Sequence, residues 1–425
     1  MKDHLLNEYR WRGLLYDQTE GVEETITSRK VSAYVGFDPT GDSLHIGNLL
    51  PIMGLVHLQR HGHNPIALVG GATGMVGDPS GKSKERNLLS EERLAHNVSC
   101  IHKQLSRFLD FDSKVNPAKL VNNHDWLGPM SFIEFMRDVG KHFPVSYMMS
   151  KESVKRRLEG DGISYTEFSY MLLQAYDFYY LSKHYNCELQ MGGSDQWGNI
   201  TAGGELTRRM DGRKVHGVVF PLITTASGQK FGKTEEGAIW LDAEKTSPYK
   251  FYQYWVNADD KDALPYLKYF TLLNEEECHE LAALQEAAPH KRDVQKRLAE
   301  EVTRTVHGQD ALDQAIRASQ AMFGGGLADL TPREISEIFD NVPSTQLPQD
   351  QFQGEGYPIL DLMAQCGVVK SKGEARRLLQ GGGVNLNNVR VNDADKKVTV
   401  EDAIGGQFIV LRKGGKNYHL VKVIA

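Results

Sequence analysis

The sequence predicts an α/β protein, built on a mostly parallel sheet with a second, helical part and a small mixed domain behind it. Three observations carry this expectation. Apolar, strand-like runs (VSAYVGFDP at 31–39, NPIALVGG at 64–71, CELQMGG at 187–193) alternate with helix-like runs such as NLLPIMGLVHLQRHG and DQWGNITAGGELTRRM, the alternation of βαβ units. From about Ser247 onward the pattern turns helical, through SPYKFYQYWVN, EEECHELAALQEAA, HKRDVQKRLAEEVTRTVHG and ALDQAIRASQAMFGG. Residues 341–356, NVPSTQLPQDQFQGEG, are polar and rich in Pro, Gln and Gly, which reads as a linker.

Taken in order, these elements divide the chain into 1–246 (parallel sheet), 247–340 (helices), 341–356 (linker) and 357–425 (small α+β domain). In the last segment, Ser371 and Glu374 have capping-box spacing ahead of SKGEARRLLQ, and VNLNNVRV reads as a hairpin turning at Asn387–Asn388. The 425 residues are 40% hydrophobic and 24% charged, enough for several cores. The charged N-terminal stretch does not read as a secretion signal, and no apolar run has the length of a membrane span, so a cytoplasmic protein is expected. Cys100, Cys187, Cys278 and Cys366 lie far apart, without metal-binding or disulfide spacing. The net charge of −6 is unevenly spread. Residues 357–425 carry eleven Lys/Arg against six Asp/Glu, a surplus of +5 that leaves −11 for the rest. A basic tail on an acidic body fits a polyanionic partner or simply a soluble basic domain.

Glycine-marked strand ends fall at GFDPTGD, GGATGMVGDPSG and GGSDQWG, where ligands of parallel sheets bind. SLHIGNLLP places His45, Gly47 and Asn48 at a helix start, where unpaired N–H groups attract phosphate. QKFGKTEEG offers Lys230, Lys233 and Thr234 on a glycine-flanked loop, and GDPSGKSKER offers Lys82, Lys84 and Arg86 on another. Taken singly, each loop is as readily a solvated basic turn. No G-x-G-x-x-G follows the first strand, and Ser227 stands where a P-loop needs glycine, so dehydrogenase and P-loop readings fall. Tyr170, Gln174 and Asp177 are spaced to share one face of an otherwise apolar helix. Such a polar stripe is either an internal hydrogen-bond network or a pocket for a small zwitterion with a polar tail.

In combination these motifs resemble the bacterial tyrosyl-tRNA synthetases, class I aminoacyl-tRNA synthetases, over nearly the whole chain. HIGN resembles the HIGH signature and KFGKT the KMSKS signature. GFDPT, GGATGMVGDPSGK, FSYMLLQAYD and GGSDQWGNI are similar to the tyrosine-specific stretches, and residues 357–425 to the S-four-like RNA-binding module. The resemblance implies a Rossmann-like catalytic domain that activates L-tyrosine with ATP and transfers it to tRNA(Tyr). By similarity, Thr40, His45, Asn48, Lys82, Arg86, Lys230, Lys233 and Thr234 serve the phosphates and ribose. Gly36, Asp38, Gly47, Gly193 and Asp195 belong to the ATP site. Asp78, Tyr170 and Gln174 form an ammonium site, Gln196 faces the carboxylate, and Tyr34 and Asp177 bind the phenol. Lys370, Lys372, Arg376 and Arg377, with Arg390 and Lys413 nearby, would meet RNA phosphates. Mg2+ would accompany ATP, with no protein-bound metal. MSFIEFMRDVGKHF resembles the dimer-contact region of a homodimer. Asn48 departs from the second histidine of HIGH, and Val35 stands where members often carry cysteine. A small-molecule adenylyltransferase and a non-catalytic RNA-binding protein are the other classes compatible with parts of this pattern.

Overall fold

The computed structural model describes residues 4–78, 90–160, 162–226, 228, 231–234, 237–322, 324–415 and 417–424, with the side chains of 153, 233 and 234 left aside. The chain forms two compact units, Met1–Thr246 with Trp255–Val306, and Ser247–Tyr254 with His307–Ala425.

The first unit is built on a six-stranded sheet. Its strands are β1 (Asp17–Gln18), β2 (Ser32–Phe37), β3 (Asn64–Val69), β4 (Lys119–Asn122), β5 (Cys187–Gly193) and β6 (His216–Phe220), in the order β1-β6-β5-β2-β3-β4. All pairs are parallel except the edge pair β1–β6. β6 is buried along its whole length and β3 along all but its first residue. Strands covered on both faces read as continuous apolar runs, which is how IALV and GVVF appear in the sequence. The order reverses direction between β2 and β5, so the crevice beyond their carboxyl ends is the natural ligand position.

The helices that matter for that crevice are α1 (Leu49–Arg60), α2 (Glu91–Leu105), α3 (Phe132–Asp138), α4 (Val145–Met149), α5 (Tyr165–Tyr185) and α6 (Trp197–Asp211). Helix α1 approaches the sheet closely at Gly54. A Cβ there would collide with the ring of Phe220 on β6. The Gly54 carbonyl also accepts the buried Tyr9 hydroxyl at 2.7 Å, and the Tyr9 and Phe220 rings meet edge to face at 5.7 Å. Glycine at 54 therefore sets the depth at which the His45-bearing end of this helix sits. Beyond α6, a short hairpin joins β7 (Lys233–Thr234) to β8 (Gly237–Ala238).

The second unit holds a five-stranded sheet and a two-stranded one. Its elements are β9 (Ser344–Pro348), β10 (Tyr357–Pro358), α7 (Lys372–Gln380), β11 (Val384–Leu386), β12 (Val389–Arg390), β13 (Lys397–Val398), β14 (Phe408–Lys413) and β15 (Asn417–Ile424). The larger sheet has the order β12-β11-β14-β15-β9, while β10 pairs with β13. The hairpin expected at Asn387–Asn388 is present. Both residues have positive φ (49° and 63°), the backbone that a two-residue hairpin turn of this type requires.

Three expectations are modified. Residues 341–356 are not a plain linker, because Ser344–Pro348 forms a parallel edge strand on β15. Its polar composition hid two apolar anchors, Leu347 and Phe352, both buried in the C-terminal core. Glu374 does not close a capping box on Ser371. Ser371 Oγ accepts the Glu374 N–H, but the Glu374 carboxylate takes the Lys370 N–H at 2.9 Å and the Lys413 ammonium at 2.8 Å. The helical stretch 247–340 is shared between the two units, with 255–306 grouped with the parallel sheet.

The Gly54–Phe220 packing has a direct consequence. Gly54→Ala is expected to lower unfolding free energy by roughly 1–3 kcal/mol, the usual cost of overpacking a core, read as a lower denaturant midpoint.

Candidate active site

Beyond the carboxyl ends of β2, β3 and β5 lies a cavity of about 380 Å³. One wall comes from the strand ends and the turns after them: Asp38 and Thr40 after β2, Gly70 and Thr73 after β3, Gly193 at the end of β5 and Gln196 after it. His45 and Asn48 close one side, and Tyr170, Gln174 and Asp177 on α5 close another.

The deep end is defined by Asp177. Its side chain is buried, and its two oxygens accept hydrogen bonds from Trp126 Nε1 (2.8 Å) and Asn123 Nδ2 (3.0 Å). Asn123 in turn donates to Thr73 Oγ1 at 2.8 Å, and the Trp126 ring stacks on Tyr180 at 4.4 Å. Burial pushes the Asp177 carboxyl up to about 7, against the two hydrogen bonds that favour its charged form. Tyr34 lines the same end. Burial, with the Asp177 charge beside it, holds its phenol well above the usual range. The Tyr34 hydroxyl has no hydrogen-bond partner among the described residues, and neither has Gln190 Oε1, another buried atom of a cavity-lining residue. Buried polar atoms of this kind are costly unless a ligand satisfies them.

Midway along the cavity, four side chains form a chain of hydrogen bonds. Gln196 Nε2 donates to Asp78 Oδ2 at 2.8 Å, and Gln174 Nε2 donates to Gln196 Oε1 at 3.2 Å. Asn199 Nδ2 donates to Gln174 Oε1 at 2.9 Å and to Gln196 Oε1 at 3.2 Å. This network places a carboxylate and amide oxygens at one level of the cavity, with the Tyr170 side chain on the wall beside them. A carboxylate flanked by neutral acceptors suits an ammonium group.

At the outer end, His45 is the N-cap of the 46–48 turn that leads into α1. Its Nδ1 accepts the Gly47 N–H at 3.0 Å, and Asn48 Oδ1 accepts the His45 N–H at 3.0 Å. The first hydrogen bond leaves Nε2 as the protonated nitrogen of the neutral ring. A Cβ at Gly47 would collide with the His45 ring, so glycine there is required by the folded-back histidine. The loop of the KFGKT stretch lies against this turn. Gly232, with φ of 82°, comes close to Ile46 and the Gly47 nitrogen. His45 and Trp240 form a β-bridge, and their rings meet edge to face at 6.1 Å.

Most of the residues singled out in the sequence are thus brought to one cavity: Tyr34, Gly36, Asp38, Thr40, His45, Asn48, Asp78, Tyr170, Gln174, Asp177, Gly193 and Gln196. Gly47 and Asp195 sit beside its wall. Glycine at 193 accommodates the Asp195 carboxylate, whose Oδ1 lies 2.6 Å from where a Cβ would be, so its missing side chain serves a neighbour as well as the cavity. Lys82, Arg86 and Lys230 fall outside the described residues, and Lys233 and Thr234 are described only as backbone in β7. Sequence reasoning missed Thr73, Asn123, Trp126, Gln190, Asn199 and Trp240. Asn123 and Trp126 belong to a short helical turn after β4, His124–Leu127 with Asn123 as its N-cap, that carries no motif, whereas Thr73 and Asn199 stand inside quoted motifs and went unassigned.

Known proteins match this sequence and fold. The family described as tRNA synthetases class I (W and Y) matches residues 27–324, and the Tyrosine--tRNA ligase SYY-like C-terminal domain matches 334–421. The chain is 53% identical to the tyrosine–tRNA ligase of Roseiflexus castenholzii over 99% of both chains. To that of Geobacillus stearothermophilus it is 52% identical over 98% of this chain and 99% of the relative. The crystal structure of a C-terminally truncated Aspergillus nidulans mitochondrial tyrosyl-tRNA synthetase superposes with a TM-score of 0.69 at 31% identity, over 75% of this chain and 94% of that one. The chain belongs to the tyrosine–tRNA ligases, within the class I synthetases.

The raised carboxyl at Asp177 has a signed pH consequence. Its native pKa of about 7 exceeds the ordinary 3.8, so the folded state holds the proton longer. Its contribution to stability is full at low pH and is lost as pH rises through about 7. Asp177→Asn is expected to flatten that part of the unfolding midpoint's pH profile.

Proposed function

We propose that the cavity binds L-tyrosine with its phenol inward and ATP toward the His45 turn, and that the reaction is the family's two-step tyrosylation of tRNA. The single observation that carries this orientation is the buried Asp177 carboxylate beside a Tyr34 hydroxyl that has no hydrogen-bond partner among the described residues. A phenol donates to the first and accepts from the second. Phenylalanine leaves both desolvated and unmatched, so a hydroxyl is demanded rather than preferred. The ammonium then falls at the level of Asp78, Tyr170 and Gln174, with Gln196 turned to the carboxylate.

From that position the tyrosine carboxylate attacks the α-phosphorus of ATP. One C–O–P bond forms, the α–β phosphoanhydride breaks, and pyrophosphate leaves. A carboxylate is already ionised, so alignment and charge stabilisation are the protein's work. His45 and Thr40 serve the phosphates, Asp38, Asn48 and Asp195 the ribose side, and Lys82, Arg86, Lys230, Lys233 and Thr234 the leaving pyrophosphate. ATP enters as its Mg2+ complex. A terminal ribose hydroxyl of tRNA(Tyr) then takes the tyrosyl group from the adenylate, releasing AMP. Tyrosine-dependent ATP–pyrophosphate exchange and charging of purified tRNA test the reading. Asp177→Ala should cut exchange severely and narrow the Tyr/Phe ratio.

The exposed basic residues of α7 and the stretch before it support an RNA contact there. Lys370, Lys372, Arg376 and Arg377 are exposed, as is Arg390. Lys372 pairs with Asp361, which steadies one end of the cluster. Replacing Lys370, Arg376 and Arg377 together by Ala is expected to raise the KM for tRNA at least tenfold and leave exchange unchanged. Contacts of this kind go to phosphates and carry no base information.

A homodimer is supported by α3 and α4. Phe132, Ile133 and Val145 are 64%, 71% and 61% exposed, with Met136 and Met149 also exposed beside them in sequence. Apolar side chains concentrated this way mark an interaction surface. The cytoplasm, with the translation apparatus, is the fitting location. Ile133→Asp is expected to shift the chain from dimer to monomer in sedimentation.

A further inference from the structure

Three segments meet at one hydroxyl just behind the cavity wall. Ser43 Oγ donates to the Leu44 carbonyl at 2.7 Å. It accepts from Gln104 Nε2 on α2 at 3.2 Å and from the Asp242 backbone N–H at 3.2 Å. One donor and two lone pairs are the whole capacity of a serine hydroxyl. Although Ser43 lines the cavity and is 6% exposed, it has no hydrogen bond left to offer a ligand. Gln104 completes the junction, because its Oε1 accepts the Leu44 N–H at 2.8 Å.

The junction ties two arms of the site together. One is the loop of residues 38–45, which carries Thr40 and His45. The other is the segment from Gly237 to Asp242, which leaves the β7–β8 hairpin. Backbone hydrogen bonds run alongside the junction, from Leu241 N to Leu44 O (2.8 Å) and from Ile46 N to Ile239 O (3.0 Å). Helix α2 holds the other end of the first arm as well, since the buried Asn97 donates to the Pro39 carbonyl at 2.8 Å. Backbone bonds alone let two such arms slide or hinge. A side chain anchored in a third element stops that movement.

We propose that Ser43 and Gln104 are positioning residues for adenylate formation, fixing the separation of the His45 arm from the hairpin arm without touching substrate. The inference rests on reading the outer end of the cavity as the ATP site. Tyrosine binds at the opposite end, against Asp177, so it is not affected. The reaction's phosphoryl step depends on alignment, and small misplacements of aligned groups cost up to about 100-fold in rate.

The test is a comparison of Ser43→Ala, Gln104→Met and Gln104→Glu with the parent chain, by ATP–pyrophosphate exchange and by equilibrium tyrosine binding without ATP. Ser43→Ala and Gln104→Met are expected to lower kcat for exchange by roughly 10- to 100-fold with the tyrosine Kd unchanged. Gln104→Glu keeps an acceptor for the Leu44 N–H, and the Ser43 hydroxyl can turn from the Leu44 carbonyl to donate to the second carboxylate oxygen, so the junction is kept and most of the rate should return. Should Ser43→Ala fail to fold, the Gln104 pair decides alone. Variants with lowered melting points but unaltered exchange kinetics would overturn the proposal, as would equal losses in tyrosine binding and exchange. A parent chain with no tyrosine-dependent exchange would instead overturn the ATP reading beneath it.

Discussion

A carboxylate sealed from water is the constraint on which the cavity depends. Ionising Asp177 in its burial costs roughly 4 kcal/mol relative to an ordinary aspartate, taking about 1.4 kcal/mol per unit of the shift toward 7. Such a group persists only where its surroundings are built to hold it. Here Asn123 and Trp126 supply one hydrogen bond to each oxygen, Thr73 orients Asn123, and Tyr180 stacks on Trp126. Residues from three regions of the chain thus converge on one side chain of α5. The carboxylate still has lone pairs to spend, and the Tyr34 hydroxyl nearby has no hydrogen-bond partner among the described residues. The group that is expensive to bury is thus also one that retains hydrogen-bonding capacity toward the cavity.

The outer half of the cavity follows a different physical rule. It is organised by backbone more than by buried charge. The His45 turn and the segment after the β7–β8 hairpin are joined by a β-bridge and by hydrogen bonds on either side of it. Gly232 and Gly47 allow the two backbones to approach, one through a positive φ and the other by leaving room for the His45 ring. Chemistry that works by alignment is well served by such a frame. Phosphates can be met by N–H groups and side chains whose spacing the frame sets in advance. Desolvation of polar groups thus shapes one end of the cavity, and backbone geometry shapes the other.

The motifs made much of this legible. Period and glycine placement marked β2, β3 and β5 and the turns after them, because buried parallel strands are apolar throughout and their ligand turns need close backbone approach. The spacing of Tyr170, Gln174 and Asp177 put three polar groups on one face of α5 before any coordinates were considered. Composition misled at 341–356, where the strand's buried Leu347 and the buried Phe352 beyond it are outweighed by polar neighbours. Local spacing misled at Ser371 and Glu374, where Lys413, distant in sequence, competes for the carboxylate.

What the sequence by itself determined is the set of elements and the cavity-facing residue types, since these follow from local periodicity and the demands of helix starts and tight turns. The tertiary structure alone decided who stands beside whom. Asn123 and Trp126 acquire meaning only when the short helical turn after β4 is laid against α5, and Ser43 only when α2 and the hairpin exit both reach it. Contacts between segments far apart in the chain leave no period or spacing behind, so no inspection of one segment reveals them.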